Sequence, residues 1–227
     1  MRASRVFGAM SWRSAMGELA LIVVGVSIAL AASSWYDERD ERIDEVRVLG
    51  QLARALEVDL EELSSRYEIQ RNRHQNVTAL LQHIEAGGPN APEVPLSSVL
   101  GWVGVRTNSA PYEALKSRGL ELISDESLRL QLIYYYENQF PPLSNAYLND
   151  RAFVRESAYP YFLSNFRQVD PTTWVPLDYA AVRDDPYFWN LCMTKLTRLQ
   201  NRILPYFEES LDLVRELLRE IDSELDE

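Results

Sequence analysis

The residues of this 227-residue chain whose types could do chemistry are few and scattered. Gln70 and His74 stand four apart, so one helix face would carry both. Such a pair makes either a pH-sensitive or metal-binding layer, or a hydrogen-bonded polar layer that fixes register; the second is the commoner use. His83 lies nine residues beyond His74, which is not a ligand spacing on one helix face. No His-Glu-x-x-His and no Glu-x-x-His occurs, so a bundle-type metal site has no support. Cys192 is the single cysteine, which excludes an intrachain disulfide and a cysteine-cluster metal site. The carboxylate pairs Asp184/Asp185 and Glu208/Glu209 are adjacent in sequence, and Asp185 before Pro186 suits a helix N-cap better than acid–base work. There is no phosphate-binding glycine loop and no nucleophile elbow. No catalytic, cofactor-binding or metal residue is therefore assigned, and the chain reads as non-enzymatic.

Composition narrows the partners. With 34 acidic and 23 basic residues the formal net charge is −11. Nucleic-acid binding is not expected, because phosphate neutralisation needs a basic face. Residues 19–36, LALIVVGVSIALAASSWY, carry no charge, and eighteen residues is the lower end of a membrane span. Residues 14–34 would make about 31 Å of helix, which matches a bilayer core of about 30 Å. Trp12 before the run and Trp35 and Tyr36 at its end suit the two interfaces. A cleaved secretory signal competes, since Ala29-Leu30-Ala31 fits a cleavage pattern, but the Trp/Tyr marker favours an uncleaved anchor. Arg2, Arg5 and Arg13 precede the run, so the expected orientation is N-terminus in the cytoplasm and the bulk of the chain outside. Gly25, Ala29 and Ser33 recur every four residues, a small-residue stripe along which a second membrane helix could pack closely.

These residues need long helices to position them. From residue 37 the next proline is Pro89, and apolar positions fall on a heptad. One set is Val46, Ala53, Leu60, Tyr67, His74 and Leu81. The other is Leu49, Leu56, Leu63, Gln70, Val77 and Ile84. Ten of these twelve are apolar or Tyr, which predicts a coiled coil or long bundle helix over 37–86, closed by Gly87-Gly88-Pro89.

Shorter helices are expected over 96–168. Pro111 opens one and Gly119 ends it in a left-handed conformation; Ser124 caps the next. Pro141-Pro142 breaks that helix, and Pro160 kinks the one after. Residues 168–184 read as an ordered loop, with no strand expected anywhere. Asp185-Pro186 starts a return helix, 186–226, kinked near Pro205. Beyond the kink a second seam appears: Phe207, Leu211, Val214, Leu218, Ile221 and Leu225. Two long seams in one chain are buried most simply antiparallel. The aromatics, including Tyr134, Tyr135, Tyr136, Tyr159, Tyr161, Phe162, Tyr187, Phe188 and Trp189, could line a ligand pocket, but an aromatic core is the simpler use. The acidic face of residues 206–227 reads as a solvated helix surface.

Two stretches carry a resemblance. ELALIVVGVSIALAASSWYDERDERIDE, residues 18–45, is a Glu-led apolar run followed by Trp and an Arg/Glu-rich helix start. YEALKSRGLELISDESLRLQLIYYYE, residues 112–137, places Tyr112, Leu115, Gly119, Ile123, Leu128 and Tyr135 in a Tyr-x-x-Leu-Lys-Ser-x-Gly, Ile-Ser, Leu-Arg…Tyr-Tyr pattern. Together these resemble a family of bacterial single-pass membrane proteins known as a domain of unknown function. The resemblance covers roughly residues 18–60 and 110–137. Ala31-Ala32-Ser33-Ser34 stands where that family has Gln and Asn. The resemblance implies a membrane-anchored helical fold and no particular chemistry.

The expected architecture is all-α: a short cationic tail (1–17), a transmembrane helix (18–36) and an extramembrane helical bundle (37–227). The expected function is a non-enzymatic scaffold or accessory subunit in the bacterial inner membrane, without cofactors, with its bulk in the periplasm. Its partners would be subunits of a membrane assembly such as a respiratory or photosynthetic complex, and the heptads also allow a homodimer. The alternative is a periplasmic sensor or small-ligand module acting through a membrane partner.

Overall fold

The computed structural model describes residues 12–226, and the side chains of residues 19, 21–36 and 39–226. About 81% of the chain is helical, as an all-α reading requires. In chain order the elements are α1 (Trp12–Glu85), α2 (Ala110–Arg118), α3 (Glu126–Ile133), α4 (Phe140–Phe153), α5 (Tyr159–Asn165), β1 (Phe166–Gln168), β2 (Trp174–Pro176), α6 (Tyr179–Arg183), α7 (Pro186–Arg198) and α8 (Leu204–Asp226). A 3-10 turn, Leu96–Leu100, lies between α1 and α2. The chain divides into two compact units, one ending at Arg47 and one starting at Val48.

The second unit is a helical bundle. Gly87 stops α1 as expected: its φ is +66°, and its N–H donates to the Ile84 carbonyl at 3.0 Å. A residue with a side chain would be strained there. The heptad describes the buried face of α1 only in part. Leu49, Leu56, Leu63, Gln70 and Val77 are buried, with Ala53 and Leu81, but Leu60, Tyr67 and His74 are half-buried. Leu52, Ala55, Asp59 and Leu80 belong to neither set and are buried too. The buried arc is therefore wider than a coiled-coil seam and rotated away from its first set, because several elements cover this helix rather than one partner.

Two apolar cores result. The first joins Leu49, Leu52, Leu56 and Leu63 to Tyr112 and Leu115 of α2, Leu128 and Leu132 of α3, and Phe207, Leu211, Val214, Leu217 and Ile221 of α8. The second joins Val77 and Leu80 to Phe153, Phe162, Phe166, Trp174, Phe188 and Leu191. Here the aromatic-core reading holds for Phe162 and Phe188, and Phe162 also stacks on Phe166 at 4.2 Å. Tyr134, Tyr159 and Tyr187 remain exposed.

Pro141-Pro142 does not act as expected. The pair breaks no helix; α3 passes into α4 through a π-helical turn, Tyr134–Gln139. Similar turns occupy Val154–Ala158 before Pro160 and Leu199–Ile203 before Pro205. In each case the residue just before the proline donates five residues back: Phe140 to Tyr135, Tyr159 to Val154, Leu204 to Leu199. Proline donates no N–H and crowds the carbonyl four residues earlier. A one-residue widening of the turn absorbs both defects and lets the helix continue.

Three local expectations need correction. The N-cap of α3 is Asp125, not Ser124: its carboxylate accepts the Leu128 N–H at 2.6 Å. An aspartate there satisfies the same orphan donor and adds favourable charge at the helix start. Gly119 does end α2 with a positive φ of 115°, but its ψ of 126° is not left-handed helical. The stretch read as loop contains an antiparallel hairpin, Phe166 opposite Pro176 and Gln168 opposite Trp174. Its turn is built by Asp170, whose Oδ1 accepts from the Thr172 and Thr173 N–H groups at 2.8 Å each. Those bonds, the Thr172 N–H first, hold the Asp170 carboxyl down to about 2. Asp185 and Pro186 cap and open α7 as predicted.

Candidate functional site

The first unit presents one long apolar surface. Among the described residues a single helix is long and apolar enough to cross a membrane, and none of its apolar window is buried. Leu19, Leu21, Ile22, Val23, Val24, Val26, Ile28 and Leu30 are all exposed. Burying one such side chain is worth about 1.5–3 kcal/mol. Eight of them left in water would cost on the order of 10–20 kcal/mol. By length and composition this helix could cross a membrane, a test that a signal sequence near the N-terminus also passes.

The end of the apolar surface is marked by rings. Trp35 and Tyr36 are 54% and 61% exposed, edge to face at 5.2 Å, and the Arg39 guanidinium lies 5.6 Å from the Trp35 centroid. An apolar ring body beside a cation suits an apolar-to-polar boundary. Trp12, the expected ring at the opposite end, has its side chain outside the described residues, as does the cationic tail. Gly25, Ala29 and Ser33 are exposed along one side, and among the described residues nothing beyond the adjacent helix backbone lies within 4 Å of where a Gly25 Cβ would stand. The small-residue stripe is uncovered.

The polar residues singled out from sequence are not gathered into one site. Gln70 is buried and its amide oxygen accepts from Arg73 Nη1. His74 is half-buried, and its carbonyl accepts the Thr78 hydroxyl at 2.8 Å. His83 Nε2 lies 2.9 Å from the Asn90 carbonyl oxygen in the loop after α1. No group of three His, Cys, Asp or Glu side chains suited to a metal ion occurs among the described residues. Burial pushes the Cys192 thiol up to about 12, which removes the thiolate that reactivity needs.

Two buried polar centres were not visible beforehand. The first lies where the family-like motif meets α1. Tyr112, Leu115, Ile123, Leu128 and Tyr135 are all buried in the first core. The Tyr135 hydroxyl donates to Asp59 Oδ2 at 3.3 Å, and Asp59 also accepts from the Thr107 hydroxyl and from the Asn108 N–H at 2.7 Å. Burial raises the Asp59 carboxyl above its ordinary value, and those three donors oppose the rise without cancelling it. At the motif's outer edge Glu137 accepts from the Tyr112 hydroxyl and from Lys116 Nζ, each at 2.7 Å. The Tyr112 and Tyr136 rings stack at 4.4 Å. The motif thus fixes α2 and the segment after α3 against α1, so its residue types answer to packing.

The second centre is an ion pair. Lys195 and Asp150 are 0% and 1% exposed. Lys195 Nζ donates to both Asp150 oxygens, at 2.8 and 2.6 Å, and to the Gly101 carbonyl at 2.6 Å. Burial lowers the lysine to about 8, while Asp150 holds it up. All three ammonium protons are engaged, so the centre ties α4, α7 and the segment after the 3-10 turn together. It offers no free donor to a substrate. Neither a lone lysine nor a lone aspartate has a sequence signature that separates a pinned charge from a solvated one.

Comparison of the chain with protein-family models, with curated proteins and with solved structures finds no match.

Proposed function

We propose that this protein is a single-pass membrane scaffold or accessory subunit of a larger membrane assembly in a bacterial inner membrane. Residues 18–36 span the bilayer, the N-terminus is cytoplasmic, and the bundle lies in the periplasm. The observation that carries this is the exposed apolar surface of residues 19 and 21–36, closed by Trp35, Tyr36 and Arg39. Lipid supplies the missing cover, and the ring pair marks one interface. The open stripe of Gly25, Ala29 and Ser33 is where a partner's membrane helix packs. The resemblance to bacterial single-pass proteins supports the same reading. So does the use of the polar centres as pins rather than as presented chemistry. Within the bundle, α8 returns antiparallel to α1, supported by Tyr67, whose hydroxyl reaches Glu208 at 2.7 Å and whose ring lies 6.4 Å from Phe207.

The test is extraction. The full chain should stay with membranes through a carbonate wash and be released only by detergent. Recovery in the aqueous fraction, or as a product trimmed within residues 29–32, would refute the anchor.

A further inference from the structure

A cleft of about 600 Å³ opens in the bundle between three segments. They are the end of the 3-10 turn with Gly101 and Trp102, the π-helical turn at Val154 and Arg155 leading to Tyr159, and the hairpin from Gln168 to Trp174. Its volume lies within the range of small-molecule sites.

The walls carry rings set by packing. Trp102 is 40% exposed and packs against the Arg151 guanidinium, 5.1 Å from its centroid, and against Tyr147 at 5.7 Å. Tyr159 is 42% exposed and meets Trp174 edge to face at 5.8 Å. Trp174 is buried and stands perpendicular to Phe162 at 5.7 Å. These contacts fix the rings before any ligand arrives, and large rigid aromatics contribute contact area at little entropic cost.

The remaining lining selects the chemistry. Arg155 is the one charged residue of the cleft, and it is exposed, in a protein whose net charge is −11. A guanidinium matches a carboxylate with two parallel hydrogen bonds. Ser97, Gln168 and Thr172 add hydroxyl and amide groups on two of the three sides. The Ser97 and Thr172 hydroxyls donate within the fold, to the Thr172 carbonyl at 3.3 Å and to Asp170 Oδ1 at 2.9 Å, so toward the cleft their oxygens act as acceptors. A plain aromatic acid has no hydroxyl to donate to them, whereas a polyhydroxylated ring does. We propose that this cleft binds a carboxylated sugar ring, its face against Trp102 and Tyr159 and its carboxylate on Arg155. The proposal goes beyond the anchoring function and is independent of it, since the cleft is formed wholly within the bundle.

The test is titration of the full chain in detergent micelles, followed by intrinsic tryptophan fluorescence, with D-glucuronate, D-glucose and benzoate as probes. Glucuronate should give a saturable change, with glucose at least about tenfold weaker for lack of the charge-assisted pair. Arg155→Gln should bring glucuronate down to the level of glucose. Tyr159→Ala should weaken both sugars, and because Arg155 and Tyr159 are exposed, both variants should keep the wild-type circular dichroism spectrum. No saturable response to glucuronate, benzoate binding as tight as glucuronate, or an undiminished acid preference in Arg155→Gln would each overturn the proposal. Carbonate extraction would be unaffected by any of these outcomes.

Discussion

Replacing Lys195 by methionine tests the ion-pair centre most directly. Methionine fills much of the same volume and keeps an apolar stem, so packing changes little. What it removes is the ammonium that Asp150 and the Gly101 carbonyl share. Asp150, 1% exposed, is left with a carboxylate that water cannot reach. Breaking one side of a buried pair typically costs about 3–5 kcal/mol, because the stranded charge keeps its desolvation penalty. For a bundle of this size each kcal/mol moves the melting temperature by roughly 2–4 °C, so the loss should be on the order of 6–20 °C. The assay is thermal unfolding of the full chain in micelles by circular dichroism, with urea titration for the free energy. A companion variant, Lys195→Met with Asp150→Leu, removes both charges and should recover most of the loss, to within about 2 kcal/mol of wild type. A single Lys195→Met variant that melts within a degree or two of wild type would refute the burial of this pair. A double variant no better than the single would show that volume, not charge, dominates the site.

Two further predictions follow from the burial of α1. Leu56→Ala should cost about 2–5 kcal/mol in urea denaturation, since a fully buried leucine loses transfer energy and leaves a cavity; Val58→Ala, 55% exposed, should stay within about 0.5 kcal/mol, and equal costs would mean the buried face is misassigned. Asp59→Asn should alter pH dependence: the folded carboxyl titrates above its ordinary 3.8, so the folded state holds the proton more tightly and wild type loses stability as pH rises through that raised value. The stability of Asp59→Asn relative to wild type should therefore improve from acid toward neutral pH, and a flat difference would contradict the burial-driven shift.

Much of the helical plan was legible because it rests on local chemistry. Gly87, Gly119, Asp185 and Pro186 act where backbone freedom or capping demands them, and no distant residue can change that. Where the plan failed, a second influence competed with the local one. Pro141-Pro142 signals a break, but the helix runs on through a wider turn that costs less than a separated helix, as it also does before Pro160 and Pro205. The α1 heptad marked the right helix and the wrong centre of its buried face. Periodicity counts apolar residues, yet Asp59 is buried through partners on other elements, which no spacing within α1 records. The hairpin escaped for the same reason: two three-residue strands are too short to alternate visibly, and Asp170 sets their turn through side-chain bonds.

The surface of residues 19–36 and the ion pair at Lys195 stand at opposite ends of that scale. Eight large apolar side chains in one uncharged run can be read without a fold, because their exposure to water is unfavourable whatever the rest of the chain does. A charge that becomes buried can be read only after folding, because its cost is met by partners far away in sequence: Asp150 lies 45 residues from Lys195, and Gly101 lies 94. The same asymmetry bears on function. The apolar character of residues 19–36 is complete in the sequence and needs no distant residue to produce it. The Gly25, Ala29 and Ser33 stripe within it specifies close approach and little else. The bundle differs: at the Trp102 cleft, exposed rings, a guanidinium, hydroxyl oxygens and an amide come together from three segments distant in sequence, which only the fold can do.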